Sequence, residues 1–234
     1  MAERVWDRFL TDQDRQHVGR LPAARMGVGK RPALLLVDLY RWVFGDKPEP
    51  LMEAIETWPS SCGMAGWDAL PHIQRLLAEA RRLGIPVIHT TTLESVPSWN
   101  DGVLRGNAVD APELRARRAR GNQIIDEVAP IPGEMTILKS APSAFWGTPL
   151  AGVLTGLGVD TVIVAGESTS GCVRASVVDG KTSRLKMVIP EECVFDRHEA
   201  THALNLFDLE QKYADVIPLD EVIAYLRSTA DSGL

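Results

Sequence analysis

Thr161–Arg184 reads TVIVAGESTSGCVRASVVDGKTSR, and the fold follows from how this stretch changes character along its length. TVIVA is a short β-branched apolar run that reads as a buried parallel strand, and GESTSG behind it supplies the glycines and hydroxyls of a tight turn. From Cys172 the spacing becomes helical: Val173, Val177 and Val178 fall on one inward stripe, while Arg174, Asp179 and Lys181 can face outward. A thiol that opens this helix would sit over unpaired backbone N–H groups and the positive end of the helix dipole, both of which favour the thiolate. The other reading of Cys172 is a small buried cysteine, and position alone does not separate the two.

Working outward, PALLLVD (Pro32 to Asp38) is an unbroken aliphatic run, too uniform to be half exposed, so Asp38 is expected at the carboxyl end of a buried strand. IPVIHTT, MTILKS, LKMVIPE and DVIPL read as further strands, with Lys139 ending the MTILK run. Helical spacing covers Trp67 to Leu83 (Leu70, Ile73, Leu76, Leu77, Ala80), with Gly84 as its stop. It recurs at Leu150 to Leu157, about His198 to Tyr213, and Asp220 to Arg227, the last with Asp220 as its cap. The text between Tyr40 and Gly66, with three prolines and the aromatics Trp42, Phe44 and Trp58, suggests a loop walling a pocket. Residues 93–134 are polar, with a helix expected around Pro112 to Arg120. Alternating strands and helices without an internal repeat predict an α/β protein, a three-layer α/β/α, Rossmann-like arrangement around a six-stranded parallel sheet. The expected organisation is one domain over 31–234, preceded by an arm, 1–30, that packs on a neighbouring copy or frays.

Composition narrows the function classes. The chain has 234 residues, 45% hydrophobic and 24% charged, the profile of a soluble globular protein with one substantial core. A net charge of -6 and a pI near 5.4 provide no basic field for nucleic acid or an anionic membrane, and the RARRAR run (Arg115 to Arg120) reads as a solvated helix face. The opening residues are too charged for a signal peptide, and no run of about 18 apolar residues occurs, so a cytoplasmic protein is expected. Cys62, Cys172 and Cys193 are an odd set without framework spacing, which fits free thiols.

In open α/β sheets the ligand crevice lies beyond the carboxyl ends of the strands, where strand order reverses. Asp38, Lys139 and Cys172 end or follow three predicted strands there. An aspartate at hydrogen-bond distance can take a thiol proton, and a lysine between them can hold the carboxylate and a developing thiolate by charge. Each also has a plainer reading, as a loop anchor, a solvated charge and a core cysteine.

With GKRPALLLVD, LKSAPSAFWGTPL, GVDTVIVAGESTSGCVRASVVDG and NLFDLEQKYADVIPL in this order, the sequence resembles the isochorismatase-like cysteine hydrolases over nearly its whole length. Within them it looks most like the branch of N-carbamoylsarcosine amidohydrolase and the maleamate amidohydrolases. The resemblance implies a triad of Asp38, Lys139 and Cys172, in which the thiolate attacks an amide or ureido carbonyl. Ammonia then leaves, and water releases the acyl- or carbamoyl-enzyme, a linear-amide hydrolase in which no cofactor is implied. It further implies an oxyanion hole from the N–H groups of Ser168 and Cys172, with a cis peptide at Glu167–Ser168. Arg197, after the fifth strand, would grip a substrate carboxylate through its bidentate fork. Phe145 and Trp146 would supply an apolar wall and Thr169 a further substrate contact, with Trp42 or Trp99 closing the pocket. Glu167 departs from the small residue or cysteine expected before the cis bond, and its charge would either hydrogen-bond a substrate amine or repel a carboxylate. A homo-oligomer, a tetramer, is expected by the same resemblance. The substrate stays open between N-carbamoylsarcosine, maleamate and a ureide such as biuret.

Two other classes compete. His198 to His202 spell HEATH, a match to the zinc-peptidase pattern H-E-x-x-H, in which Glu199 would activate a metal-bound water. Its weakness is the third ligand, since Glu221 lies on a different helix, and no metal is expected. An α/β binding module without turnover is the remaining class.

Overall fold

The computed structural model describes residues 4–20, 25–93 and 112–231. Its sheet runs β3-β2-β1-β4-β5-β7, every pair parallel, from β1 (Pro32–Val37), β2 (Val87–Thr92), β3 (Met135–Lys139), β4 (Thr161–Glu167), β5 (Lys186–Pro190) and β7 (Asp215–Ile217). These are the six strands expected. A seventh, β6 (Val194–Phe195), pairs with the carboxyl end of β4, and two residues are too few to show a period in sequence. The chain starts at the middle of the sheet, builds outward through β2 and β3, then returns to the other side of β1 with β4. The order therefore reverses between β1 and β4, which opens a crevice beyond their carboxyl ends.

Both central strands are buried along their whole length, and successive side chains enter opposite layers. Leu34, Leu36, Ile163 and Ala165 meet Leu70, Ile73, Leu76 and Leu77 of the helix Met64–Arg82 and Val222, Ile223 and Leu226 of Leu219–Asp231. Leu35, Val37, Val162 and Val164 meet Leu150 and Leu154 of Leu150–Gly156, Val177 of Arg174–Thr182, and Leu206 and Leu209 of Glu199–Lys212. The result is the three-layer arrangement read from the alternation of strand and helix.

Three local expectations change. The loop expected over Tyr40 to Gly66 carries two short helices, Arg41–Phe44 and Leu51–Thr57, and Phe44 and Trp58 are core residues rather than pocket walls. Phe44 packs edge-on against Trp67 and Phe195 at centroid distances of 5.5 and 5.4 Å, because a ring this size is stabilised more by closing the end of the layer than by facing water. Asp220 is not the cap of the last helix, which begins at Leu219. The Leu219 N–H is satisfied by the Glu192 carboxylate at 2.8 Å, and Asp220 pairs with Arg75 instead.

The N-terminal segment read as an arm for a neighbour docks on its own chain where it is described. Trp6 is buried in the second core beside Phe207, and Arg4 donates to the Val216 carbonyl and pairs with Glu191. The Met26 and Gly27 N–H groups both donate to the Asp215 carboxylate at 2.7 and 2.8 Å. Since removal of a buried indole typically costs about 3 kcal/mol, Trp6→Ala is expected to lower unfolding free energy by about that amount in a denaturant titration. A change below ~0.5 kcal/mol would show that the segment is not docked on this body.

Candidate active site

Three strand ends meet in the crevice. Asp38 follows β1 with a positive φ of 55°, a region that Asp tolerates better than most residues, and this turns its fully buried carboxylate across the sheet end. Thr90 of β2 holds it there: its hydroxyl donates to Asp38 Oδ1 at 2.7 Å and accepts from the Asp38 N–H at 3.1 Å. Lys139, the last residue of edge strand β3, places Nζ 2.7 Å from Asp38 Oδ2 and 3.3 Å from Cys172 Sγ. The Asp38 charge in turn acts on the thiol. The three residues expected to converge do so, and Lys139 lies between the carboxylate and the sulfur.

The turn that carries Cys172 is built by glycines and by anchors outside it. At Gly166 φ is 121°, and a Cβ would lie 2.1 Å from the Val37 carbonyl oxygen, so only glycine lets β4 pass this close to β1 before Glu167. The Glu167–Ser168 peptide is cis, as the resemblance implied. Residues Thr169–Val173 then form a π-turn with a kink at Gly171, and the regular helix starts only at Arg174. Cys172 therefore sits in the turn ahead of the helix rather than in its first turn. The Gly171 and Val173 N–H groups bond to the Ser168 carbonyl, and Ser170 donates through both its N–H and hydroxyl to Asp196. Ser176 ties the Cys172 carbonyl to the Ala144 N–H, which fixes the 141–148 turn against the same helix.

Electrostatics differ from the sequence expectation at the sulfur. Burial, followed by the Asp38 charge, pushes the Cys172 thiol up to about 12, and the Lys139 charge offsets only part of this. The resting thiol is thus protonated and the ionic partners are Asp38 and Lys139. Burial acts against the Lys139 charge too, but Asp38 and Cys172 outweigh it and hold the ammonium above its ordinary range. Burial, and after it a full carboxylate charge, act against the thiolate that the turn's N–H groups and the helix dipole would favour.

The other expected site residues divide. Arg197 reaches the crevice edge, with Nη2 3.1 Å from Glu167 Oε1 and a further bond to the Ser60 carbonyl. Phe145 is not a pocket wall: its ring is core and lies against Gly180 beneath the Arg174–Thr182 helix. Trp146 is 72% exposed. Thr169 is fully buried and turned away, its hydroxyl 2.8 Å from His202 Nδ1. Trp42 is engaged by Trp58 and by Asn122, whose Oδ1 lies 3.0 Å from its Nε1, and Trp99 lies outside the described residues. Tyr40 was missed. Its phenol is raised well above the ordinary range by burial and then by the charges of Asp38 and Glu167. Thr90 and Asp196 were missed as well, although a polar HTT at a strand end was a readable signal for the first.

The HEATH reading comes apart locally. His198 precedes the helix with extended backbone, so the two histidines do not share a helical face; His202 is held by Thr169, Glu199 pairs with Arg8, and Glu221 with Arg25. Among the described residues no group of three or more His, Cys, Asp or Glu is gathered as a metal shell. No helix among them is long and apolar enough to cross a membrane. Two surface cavities of about 410 and 420 Å³ lie beside Arg4 and His202 and beside Trp58 and Arg117; neither borders the three converging residues, so chemistry rather than cavity size locates the site.

Residues 32–221 match the isochorismatase domain family. The chain belongs to the isochorismatase family. Among curated relatives, a maleamate amidohydrolase of Pseudomonas putida is 36% identical over 209 residues, covering 88% of this chain and 92% of the relative. An N-carbamoylsarcosine amidase of Arthrobacter is 34% identical, covering 86% and 74% respectively. The crystal structure of N-carbamoylsarcosine amidase from Thermoplasma acidophilum superposes with a TM-score of 0.61 at 24% identity, over 81% of this chain and 97% of that one. A cysteine hydrolase from Pseudomonas syringae gives 0.69 at 21% identity, over 90% and 99%. These two superpositions show the fold.

The charge balance around Cys172 yields a test with two opposed readouts. With a thiol near 12, alkylation by iodoacetamide should be slow at pH 8 and rise roughly tenfold per pH unit up to about pH 10. Asp38→Asn removes the charge that opposes the thiolate and leaves Lys139 beside the sulfur. It should therefore speed labelling of Cys172 at pH 8 by about tenfold or more, read by peptide mass spectrometry, even while turnover is lost. Slower labelling in Asp38→Asn would mean that the carboxylate promotes the thiolate at rest.

Proposed function

We propose that this isochorismatase-family enzyme is a cysteine-dependent amidohydrolase that opens the C–N bond of a small linear amide or ureido compound. The observation that carries the reading is the Asp38–Lys139–Cys172 contact, 2.7 and 3.3 Å, at the point where strand order reverses. Asp38 takes the thiol proton as Sγ attacks the carbonyl carbon, so the thiolate forms only when its charge is consumed in a new bond. Lys139 compensates the negative charge that passes between carboxylate and sulfur. The N–H groups of Ser168 and Cys172 receive the oxyanion; the neighbouring amides of Ser170, Gly171 and Val173 have other acceptors. Asp38 returns the proton to the nitrogen, ammonia departs, and a thioester or thiocarbamate remains on Cys172. Asp38 then takes a proton from water, whose oxygen attacks the carbonyl carbon, and the thiol is restored as the acid leaves.

For the substrate, we infer a carboxylate-bearing compound such as N-carbamoylsarcosine, with Arg197 as its anchor. The support is the position of this guanidinium at the edge of the crevice, together with the names of the curated relatives. Maleamate is the second reading, favoured by the first of those relatives, and it also carries a carboxylate near the amide.

Ammonia release from N-carbamoylsarcosine, maleamate and biuret tests the reading. Cys172→Ala should lower the rate by about 10³-fold or more with an unchanged circular dichroism spectrum and melting temperature, and Asp38→Asn should be nearly as severe. Arg197→Lys should weaken kcat/KM for the acids by roughly tenfold, because one ammonium does not reproduce a two-point fork, with biuret little affected. Turnover that survives Cys172→Ala would overturn the mechanism; equal losses for acids and biuret in Arg197→Lys would overturn the carboxylate anchor.

A further inference from the structure

The guanidinium assigned to the substrate is already occupied. Arg197 Nη2 stands 3.1 Å from Glu167 Oε1, and the Cys62 thiol donates to the same oxygen at 3.7 Å. The Glu167 side chain is 5% exposed and that of Arg197 28%, so an incoming anion reaches the guanidinium and not the carboxylate. Glu167 lies directly before Ser168, in the strand that leads to the nucleophile turn, and it faces acids on several elements. Asp38 stands at the end of β1, Tyr40 just beyond it, Cys62 ahead of the Met64–Arg82 helix, Cys172 in the turn, and Asp196 after β6. Arg197 is the cation paired with Glu167, and the other cation of this group, Lys139, is paired with Asp38.

We propose that Glu167 is a specificity-determining residue that holds Arg197 in the substrate-free site, and that a substrate carboxylate takes its place on the guanidinium while Glu167 takes up one proton from solvent. The proposal rests on the carboxylate anchor assigned to Arg197 above. Two carboxylates brought to one half-buried guanidinium repel each other, and the buried one loses its charge at lower cost. Burial, only partly offset by Arg197, has already pushed Glu167 up to about 7, so little further change protonates it. The sign follows directly. Below about pH 7 the proton is already in place and acids bind without uptake. Above it each pH unit adds a factor of ten against the acid, while a neutral ureide lacking the carboxylate is unaffected.

N-carbamoylsarcosine and 1,1-dimethylurea form the matched pair, since they share the reacting ureido group and differ by the carboxylate. The ratio of their kcat/KM values should fall about tenfold per unit between pH 7.5 and 9 in the natural enzyme. In Glu167→Gln it should be flat and should stay at its low-pH level. A second readout needs neither turnover nor the neutral substrate. Calorimetric titration of Cys172→Ala with N-carbamoylsarcosine in two buffers of different ionisation enthalpy should count close to one proton taken up at pH 8 and almost none at pH 6. The added Glu167→Gln change should abolish this uptake. Acid turnover with a pH-independent ratio, no proton uptake at pH 8, or uptake that persists in Glu167→Gln would each overturn the proposal while leaving the amidohydrolase reading intact. If no acid is turned over or bound by enzyme that is active on biuret, the carboxylate anchor fails and this proposal falls with it.

Discussion

A buried ion pair governs this structure. Asp38 is inaccessible to water and Lys139 nearly so, and each would be strongly disfavoured there without the other. Desolvating two such groups costs several kcal/mol apiece, which a well-packed apolar pair would avoid. The pair makes sense as a charge reservoir beside the sulfur. Around it the sheet end is arranged to keep both partners in place: Thr90 fixes the carboxylate from one side, and Lys139 arrives from edge strand β3 across the end of β2.

From that pair the protonation state of the site follows. A cysteine next to an unpaired lysine would ionise; a cysteine next to a lysine already satisfied by an aspartate does not. Burial and the carboxylate charge keep the Cys172 thiol protonated. The same principle extends to the crevice edge, where Glu167 pairs with Arg197. Both cations of the site are paired at rest.

The supports outside the three residues are as specific as the residues themselves. Gly166 permits the close passage of β4 along β1, and Asp196 binds two donors of Ser170 to hold the nucleophile turn against the strand beside it. Neither belongs to an apolar pattern, and neither stands near Cys172 for a reason visible in local sequence. Asp196 is there because β6, two residues long, adds to the end of β4.

The sequence by itself determined the parallel α/β/α architecture, since uninterrupted aliphatic runs such as PALLLV and TVIVA can be stable only with both faces covered, and the helical stripes between them supply that cover. It also placed Asp38, Lys139 and Cys172 at or just after strand ends that open on one edge of a parallel sheet, while their meeting as a triad was implied only by the family resemblance. What only the tertiary structure decided is where side chains in irregular segments point. Phe44, Trp58 and Phe145 read as pocket walls from their turn context but went into the core, where burial of a large ring outweighs its local setting. Thr169 turned toward His202, and the thiol stayed protonated. These outcomes depend on contacts between residues far apart in the chain, and on desolvation, which is a property of the packed interior and is absent from any local stretch of sequence.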